Sequence, residues 1–259
     1  MKETYALVTG ASKGIGREVA IQLAAKGYHL LLAARSAPEL KALCEELSDA
    51  YQVEARYFAC DLSLPGAAAE LAARCKAKTS TLSVLVNNAG FGVWGGFSEL
   101  KLSDQMAMLQ LNINAVVELS HLLLPLLKEQ RQSYILNVCS TAAYQAMPAM
   151  TVYAATKAFV LSFSRGLRYE LRNSNVSVTC LSPGPTETGF ASRAGLDMLE
   201  DLAKKFNMQP GEVARAGLKA MFNKKAEAIP GFLNKVSAFG ATHLPKTWIE
   251  KITANIYKR

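Results

Sequence analysis

The chain has 259 residues, of which half are hydrophobic and 19% are charged. This balance excludes a disordered or fibrous chain and is typical of a globular protein with a sizeable core. The formal net charge is +8. Most of it lies in residues 190–259, which carry twelve Lys or Arg against six Asp or Glu. These basic residues are scattered rather than interleaved with aromatic residues, so we predict a solvated surface and no nucleic-acid partner.

Cysteine spacing and hydropathy predict a soluble cytoplasmic protein. The five cysteines form no close Cys-x-x-Cys pair and have no histidine at metal-ligand spacing, which predicts buried thiols in a reducing compartment and no metal site. The first predicted strand begins at Tyr5 and leaves no room for a secretory signal. The most apolar longer stretch, 115–127, contains Glu118, His121 and Pro125 and is too short to span a bilayer.

Strand and helix patterns alternate along the chain. The predicted elements are strand 5–9, helix 15–26, strand 29–34, a helix from Pro38, strand 53–60, helix 66–78, strand 82–87, helix 103–129, strand 134–140, helix 152–171 and strand 176–181. This order predicts an α/β fold, a single Rossmann-like doubly wound parallel sheet of about seven strands with helices on both faces. No linker or repeat interrupts it, so residues 1–259 are predicted to form one domain. Ligands of such sheets bind at the carboxyl ends of the strands.

The turn after the first strand is rich in glycine. Gly10, Gly14 and Gly16 stand in Thr-Gly-Ala-Ser-Lys-Gly-Ile-Gly, which ends the first strand and opens the first helix. Glycines permit a tight turn and close approach of a pyrophosphate to backbone N–H groups, and the helix dipole favours an anion there. The pattern predicts a phosphate-binding loop. The alternative is a tight turn without a ligand.

Tyr153 and Lys157 lie four residues apart and therefore on one face of the predicted helix 152–171. A positive charge ~4 Å from the phenol at an effective dielectric of about 20 would lower its pKa by up to about three units. Ser140 precedes this helix and ends a predicted strand, so both hydroxyls can reach one carbonyl. Alone, the pair would be read as a partly buried ring beside a solvated lysine.

Further motifs follow the other strands. They are Asp61-Leu62 after the third strand, Asn87-Asn88-Ala89-Gly90 after the fourth, Asn112 in the long helix and Pro183-Gly184 after the sixth. With the Gly-x-x-x-Gly-x-Gly loop and Tyr-x-x-x-Lys, residues 4–190 resemble the short-chain dehydrogenase/reductase family, in particular an NADP-preferring, ketoacyl-reductase-like branch. The resemblance implies an enzyme that transfers a hydride between nicotinamide and a carbonyl or alcohol.

The resemblance also implies roles for single residues. Tyr153 would protonate the carbonyl oxygen, or deprotonate the alcohol in the reverse direction, and Ser140 would position that oxygen. Lys157 would bind the nicotinamide ribose and lower the phenol pKa. Asn112 would hold a water that links Lys157 to solvent, and Asn114 in the same Leu-Asn-Ile-Asn stretch competes for that role.

A longer set of residues is implied to contact the cofactor. It comprises Gly10, Ser12, Lys13, Gly14, Ile15, Gly16, Arg35, Asp61, Leu62, Asn88, Ala89, Gly90, Tyr153, Lys157, Pro183, Gly184, Thr186 and Thr188. Asp61 would lie near the adenine, or else it caps the following helix. Arg35 ends the second strand, where an acidic residue would favour NAD and an arginine accommodates the 2′-phosphate of NADP. We therefore predict NADP(H), with Lys13 and Arg17 as candidates for added positive charge; the alternative is that Arg35 is a surface residue.

The region after the sixth strand is predicted to cover the substrate. A lid over 185–225 would carry apolar side chains and suit a hydrophobic ketone or 3-oxoacyl-type substrate, with packing on the body of the protein as the alternative. These side chains are Phe190, Met198, Leu199, Leu202, Phe206 and Met208. Histidines 29, 121 and 243 show no partner pattern and are read as structural.

The C-terminal region departs from the family pattern. Residues 226–231 replace the usual Asp-Gly-Gly turn after the last strand, and a helical tail over 240–259 follows. Its apolar residues, predicted to share one face, are Trp248, Ile249, Ile252 and Ile256, with Lys246, Lys251, Lys258 and Arg259 nearby. This face would seal the pocket, form a subunit contact or touch a membrane surface. The resemblance implies a homo-oligomer, although the departure weakens the case for the family's common tetramer.

A protein of another class remains an alternative. A nucleotide-sensing or scaffold protein could keep this fold without catalysis, but such relatives commonly lose the tyrosine or the lysine. This chain keeps Ser140, Tyr153, Lys157 and Asn112 together, which favours the enzyme.

Overall fold

The computed structural model describes residues 4–190, 194–195 and 207–256, and within them the chain forms a seven-stranded parallel sheet. The strands are β1 (Tyr5–Thr9), β2 (His29–Ala34), β3 (Ala55–Ala59), β4 (Leu82–Asn87), β5 (Ser133–Val138), β6 (Val176–Leu181) and β7 (Glu227–Ala228). Their order in space is β3-β2-β1-β4-β5-β6-β7. Strands β1 to β3 follow one another toward one edge of the sheet, and β4 to β7 follow one another toward the other edge. The order of strands therefore reverses between β1 and β4, which is the position where doubly wound sheets bind ligands. The predicted fold class is confirmed.

Helices cover both faces of the sheet. They are α1 (Gly14–Ala24), α2 (Ala37–Tyr51), α3 (Ala67–Lys78), α4 (Leu102–Leu109), α5 (Ala115–Lys128), α6 (Thr151–Glu170), α7 (Pro210–Phe222), α8 (Phe232–His243) and α9 (Lys246–Ile256). One core cluster joins α1, α2 and α7 to the sheet, and a second joins α3 and α5 to it. Each strand of the centre is therefore buried on two sides, which explains the continuous apolar runs in the sequence.

Four strands have the predicted bounds, and two differ. The strand predicted over 53–60 is shortened to β3, and before its first residue the Glu54 N–H donates to the side chain of His29, with Nδ1 2.7 Å away, rather than to a backbone carbonyl of β2. β5 begins and ends earlier than predicted, so Ser140 lies two residues beyond the strand. There the chain turns into a 3-10 helix over Thr141–Tyr144.

The helical stretch predicted over 103–129 is present over Leu102–Lys128, but it is not α-helical throughout. A π-helical turn, Gln110–Asn114, separates α4 from α5 and widens the helix by one residue. Within the described residues, the stretch 102–128 is the one helix long and apolar enough to span a membrane by length and composition. One side of its C-terminal part nevertheless packs inward, since α5 contributes Leu119, Leu123 and Leu127 to the core.

The region predicted as a lid, 185–225, differs from the prediction in its C-terminal part. Its C-terminal part forms α7, whose Val213, Leu218 and Met221 are fully buried against the sheet and α1. This part belongs to the core because its apolar residues recur at helical spacing toward the sheet. Four of the predicted lid residues, Met198, Leu199, Leu202 and Phe206, lie outside the described residues.

The C-terminal helices also differ from the prediction. The tail begins earlier, at α8. On α9, Trp248, Ile249 and Ile252 lie within an arc of about 100°, and the side chain of Ile256 lies outside the described residues. Ile249 stands at one edge of this arc and is buried, whereas Trp248 and Ile252, one helical turn apart, are exposed.

Candidate active site

A cavity of about 630 Å³ opens at the carboxyl ends of the central strands. Its wall includes nearly all residues that the sequence singled out. These are Gly10, Ser12, Lys13, Gly14, Ile15, Arg35, Asp61, Leu62, Asn88, Ala89, Gly90, Ser140, Tyr153, Lys157, Pro183, Gly184, Thr186, Thr188 and Phe190. Gly16 and Asn112 are absent from the wall, and both lie directly behind it. Residues from seven separate chain segments therefore meet at one site.

Gly16 shapes the loop from behind rather than lining the cavity. A Cβ at this position would lie 2.3 Å from the Gly10 carbonyl oxygen and 2.4 Å from Asn88 Nδ2. Because a heavy atom fits at neither distance, only glycine permits α1 to start this close to the loop. The positive end of the α1 dipole is thereby aimed into the cavity.

The segment after β4 fastens the glycine loop to the sheet. Asn88 Nδ2 donates to the carbonyl oxygens of Thr9 and Gly10, at 2.9 and 3.2 Å. The backbone N–H groups of Asn88 and Ala89 both donate to Thr9 Oγ1, each at 3.0 Å. These bonds cross the point where the sheet order reverses. They hold the two loops that flank the cavity at a fixed separation.

Ser140 is positioned by a turn rather than by a strand. Its Oγ accepts a hydrogen bond from the Ala142 N–H at 3.1 Å, and the next residue, Thr141, donates its N–H to the Pro183 carbonyl at 2.9 Å. The first contact uses a lone pair of the serine oxygen and leaves its O–H able to donate into the cavity. The second joins the Ser140 turn to the Pro183-Gly184 segment on the same wall.

Tyr153 and Lys157 share the buried face of α6 that the spacing predicted. Tyr153 is 8% and Lys157 6% exposed, and the Lys157 ammonium lies 5.7 Å from the centre of the Tyr153 ring. Lys157 Nζ donates to the Val138 carbonyl at 3.0 Å, which fixes its direction. Burial lowers the pKa of Lys157 from its usual range, because the charged form loses hydration.

Asn112, not Asn114, faces the site. Asn112 is 1% exposed, and its amide forms two hydrogen bonds with the Phe91 backbone, at 2.9 and 3.2 Å, and one with Thr156 Oγ1 at 3.1 Å. Asn114 is exposed and bonds Gln110. The π-helical turn presents Asn112 to Gly90, where a Cβ would lie 3.1 Å from Asn112 Oδ1 and 3.5 Å from Lys157 Nζ.

The end of the cavity beside β2 and α2 carries several charged residues. Arg35 is exposed on the wall, and it forms no ion pair with any residue that the structure describes. Lys13 pairs with Glu39 at 2.9 Å, and this hydrogen bond is the main reason that the pKa of Glu39 is lowered. Arg17 pairs with Glu46 and does not line the cavity, so its suggested contribution to the phosphate site is not supported.

Asp61 does not cap the following helix. Its Oδ1 accepts hydrogen bonds from Ser63 N and Ser63 Oγ, at 3.0 and 2.6 Å, whereas α3 begins after Gly66. The neighbouring Cys60 also lines the cavity, and burial raises the pKa of its thiol to about 11. Cys60 is therefore a neutral thiol at neutral pH rather than a nucleophile.

Several wall residues carried no signal in the sequence. Phe91, Leu111, Gln145, Met147 and Met150 line the cavity near Tyr153. Most lie in loops, where side-chain periodicity gives no information. The only indication of these residues in the sequence was the spacing of Met147 and Met150, three residues apart, in the segment before α6. Phe91, Met147 and Met150 pack with Tyr153 and with Phe190, whose ring centre is 5.3 Å from that of Tyr153, and make this end of the cavity apolar.

The fold and the site together define a doubly wound α/β protein with a glycine-rich loop and a Ser, Tyr, Lys cluster on one cavity. The family model described as short chain dehydrogenase matches residues 4–198. The chain therefore belongs to the short-chain dehydrogenase/reductase family and is an oxidoreductase of that family.

Three relatives illustrate the similarity. A short-chain dehydrogenase from Sphingobium yanoikuyae, solved in complex with NADPH, is 30% identical with a TM-score of 0.82, and 91% of each chain is covered. A bulky-bulky ketone specific alcohol dehydrogenase from Comamonas testosteroni is 27% identical with a TM-score of 0.79, covering 98% of this chain and 93% of that one. A very-long-chain 3-oxoacyl-CoA reductase from Laccaria bicolor is 32% identical over 70% of this chain and 54% of its own length.

Proposed function

We propose that this protein is an NADP(H)-dependent carbonyl/alcohol oxidoreductase acting on a hydrophobic ketone or a 3-oxoacyl-type substrate. The observation that carries the proposal is the meeting of Ser140, Tyr153 and Lys157 with the glycine loop on one cavity. The volume of the cavity, about 630 Å³, lies within the usual range for small-molecule and cofactor sites. A ligand of dinucleotide type would occupy most of it. We further propose that residues 1–259 act as one catalytic domain.

The proposed chemistry assigns one task to each group. Bound nicotinamide supplies or accepts the hydride. The Ser140 hydroxyl donates a hydrogen bond to the carbonyl oxygen and holds it beside Tyr153, which transfers the proton. Lys157 stabilises the phenolate that this transfer leaves, because its ammonium lies close to the ring and is shielded from water. Asn112 positions the Phe91 segment against Lys157.

Arg35 supports the choice of NADP(H). It follows β2 at the end of the cavity, where an arginine accommodates a 2′-phosphate, and no described carboxylate neutralises it. Lys13 lies on the same wall but is held by Glu39. The relative from Sphingobium yanoikuyae, solved with NADPH, agrees with this choice.

The apolar end of the cavity supports a hydrophobic substrate. Phe91, Met147, Met150 and Phe190 surround the Tyr153 ring, and methionine adapts to irregular apolar ligands. Two of the relatives are named for bulky ketones and for very-long-chain 3-oxoacyl-CoA. We infer a substrate whose carbonyl carries at least one large apolar substituent.

The test is NADPH oxidation with ketones and 3-oxoacyl thioesters graded by chain length. Each buried methylene contributes about 0.8 kcal/mol, so kcat/KM is expected to rise about four-fold per methylene until the apolar end is full. Faster turnover of small hydrophilic carbonyls would contradict the substrate class. NADPH binding without turnover of any carbonyl would instead favour a nucleotide-sensing protein.

Replacing Arg35 with Asp is expected to reverse the cofactor preference. The change removes a charged hydrogen-bond donor and places a carboxylate where it repels a 2′-phosphate, so the ratio of kcat/KM for NADPH over NADH should fall by about 100-fold. Lys41→Asp is the matched control, because Lys41 lies nearby on α2 but outside the cavity wall. An unchanged ratio in the Arg35 variant, or an equal fall in the control, would remove Arg35 from the cofactor site.

A further inference from the structure

The outward side of α8 and α9 is apolar, and no described part of the chain covers it. Seven large hydrophobic residues are exposed there, and we call them the tail face: Phe232, Leu233, Val236, Phe239, Leu244, Trp248 and Ile252. Phe232 is 78% exposed and Trp248 is 62% exposed. Single exposed apolar residues are ordinary, whereas seven on two consecutive helices indicate an interaction surface.

The helices α8 and α9 each pack one side on the rest of the protein, and the tail face is a second apolar side of the same helices. On α8, Ala238 and Ala241 are buried, and Phe232, Val236 and Phe239 recur at i, i+4 and i+7 on the opposite side. On α9, Ile249 and Thr253 are buried, while Trp248 and Ile252 point away from them. The tail face therefore does not seal the cavity, which was one reading of the sequence.

The charged residues around the tail face indicate which kind of partner this surface can bind. Residues 231–259 carry five Lys or Arg and a single acidic residue, Glu250. Lys235, Lys246 and Lys251 are exposed beside the apolar side chains. In a symmetric contact with a second copy, these like charges would face one another. An anionic lipid surface instead matches both the basic rim and the apolar centre.

We propose that the tail face docks on the surface of a membrane containing anionic lipid. Phe239 and Trp248 insert at the level of the headgroups, where aromatic side chains are favoured, and the exposed lysines contact the lipid charges. The inner side of α8 borders the cavity, since the Asn234 amide packs against Gly184 on the cavity wall. Docking places the membrane about one helix diameter, ~10 Å, from that wall.

Vesicle sedimentation of the full chain tests this proposal independently of enzymatic activity. Wild-type protein is expected to bind vesicles of equal parts phosphatidylcholine and phosphatidylserine, and to bind phosphatidylcholine alone at least about tenfold more weakly. Each lysine near the surface contributes about five-fold, so Lys235→Gln combined with Lys251→Gln should lower partitioning about 30-fold. Phe239→Ser combined with Trp248→Ser should abolish binding.

Matched control variants distinguish binding through the tail face from nonspecific adsorption to vesicles. Leu64→Ser removes a 58% exposed apolar residue elsewhere, and Lys76→Gln removes an exposed lysine of α3; neither should change partitioning. Thermal unfolding midpoints of all variants check that they are folded. The proposal is overturned if wild-type protein binds neither vesicle, or if folded tail-face variants bind as well as wild type. It is also overturned if these variants only dissociate an oligomer in size-exclusion chromatography.

Discussion

Tyr153→Phe is expected to lower kcat for carbonyl reduction by 10² to 10⁴, the usual contribution of a positioned proton donor. The change removes one hydroxyl and keeps the ring that packs against Phe190, so the cavity shape should persist. The dissociation constant of NADPH, measured by fluorescence titration, should change by less than about three-fold, because the proton transfer stabilises the transition state and does not contribute to cofactor binding.

Tyr144→Phe is the matched control for this variant. Tyr144 lies in the 3-10 turn after Ser140, and its hydroxyl bonds Ser182 Oγ at 3.1 Å rather than lining the cavity. We expect kcat to stay within about three-fold of wild type, since only one neutral hydrogen bond is lost. Near wild-type kcat in Tyr153→Phe, or an equal loss in Tyr144→Phe, would show that the proton comes from another group.

Lys157→Met should decrease activity and increase stability at the same time. The variant loses the charge that favours the phenolate and a contact to the cofactor, so kcat/KM should fall by about 10² or more. It also removes a buried ammonium whose hydration is lost on folding, and the free energy of unfolding without cofactor should rise by about 1 kcal/mol at neutral pH. Steady-state kinetics and urea unfolding measure the two effects.

The stability gain in Lys157→Met should depend on pH in a defined direction. Burial lowers the pKa of Lys157 in the folded protein below its unfolded value of about 10.4. The folded protein therefore bears the full cost of the charge below the folded pKa, and this cost vanishes as pH rises toward about 10.4. The difference in unfolding free energy between variant and wild type should shrink over the same range. Lys219→Met, at an exposed position of α7, should give no such pH dependence, and a strongly destabilised Lys157 variant would contradict the argument.

Local sequence patterns were sufficient for the regular elements. The bounds of β1, β2, β4 and β6 match the predicted strands residue for residue, because strands buried on both faces need uninterrupted apolar runs. The face shared by Tyr153 and Lys157 follows from helical spacing alone. The motif positions at strand ends likewise predicted which loops would meet, since all parallel strands end at the same edge of the sheet.

Choices between similar residues were made by tertiary contacts. Asn112 and Asn114 are equivalent in sequence, and the π-helical turn together with the Phe91 backbone selects Asn112. In the same way, the Glu39 contact fixes Lys13, and Arg17 is drawn to Glu46. Each of these partners lies far along the chain or in another element, so no local pattern contains the information.

The sequence by itself determined the doubly wound sheet, the glycine-rich loop and the Ser, Tyr, Lys cluster, because each depends on side-chain period or on spacing along the chain. Only the tertiary structure decided that α7 belongs to the core, that Met147 and Met150 line the apolar end of the cavity, and that Ile249 of α9 is buried while Trp248 and Ile252 are exposed. These features depend on which surfaces other elements cover, and burial is a property of the packed chain rather than of any segment.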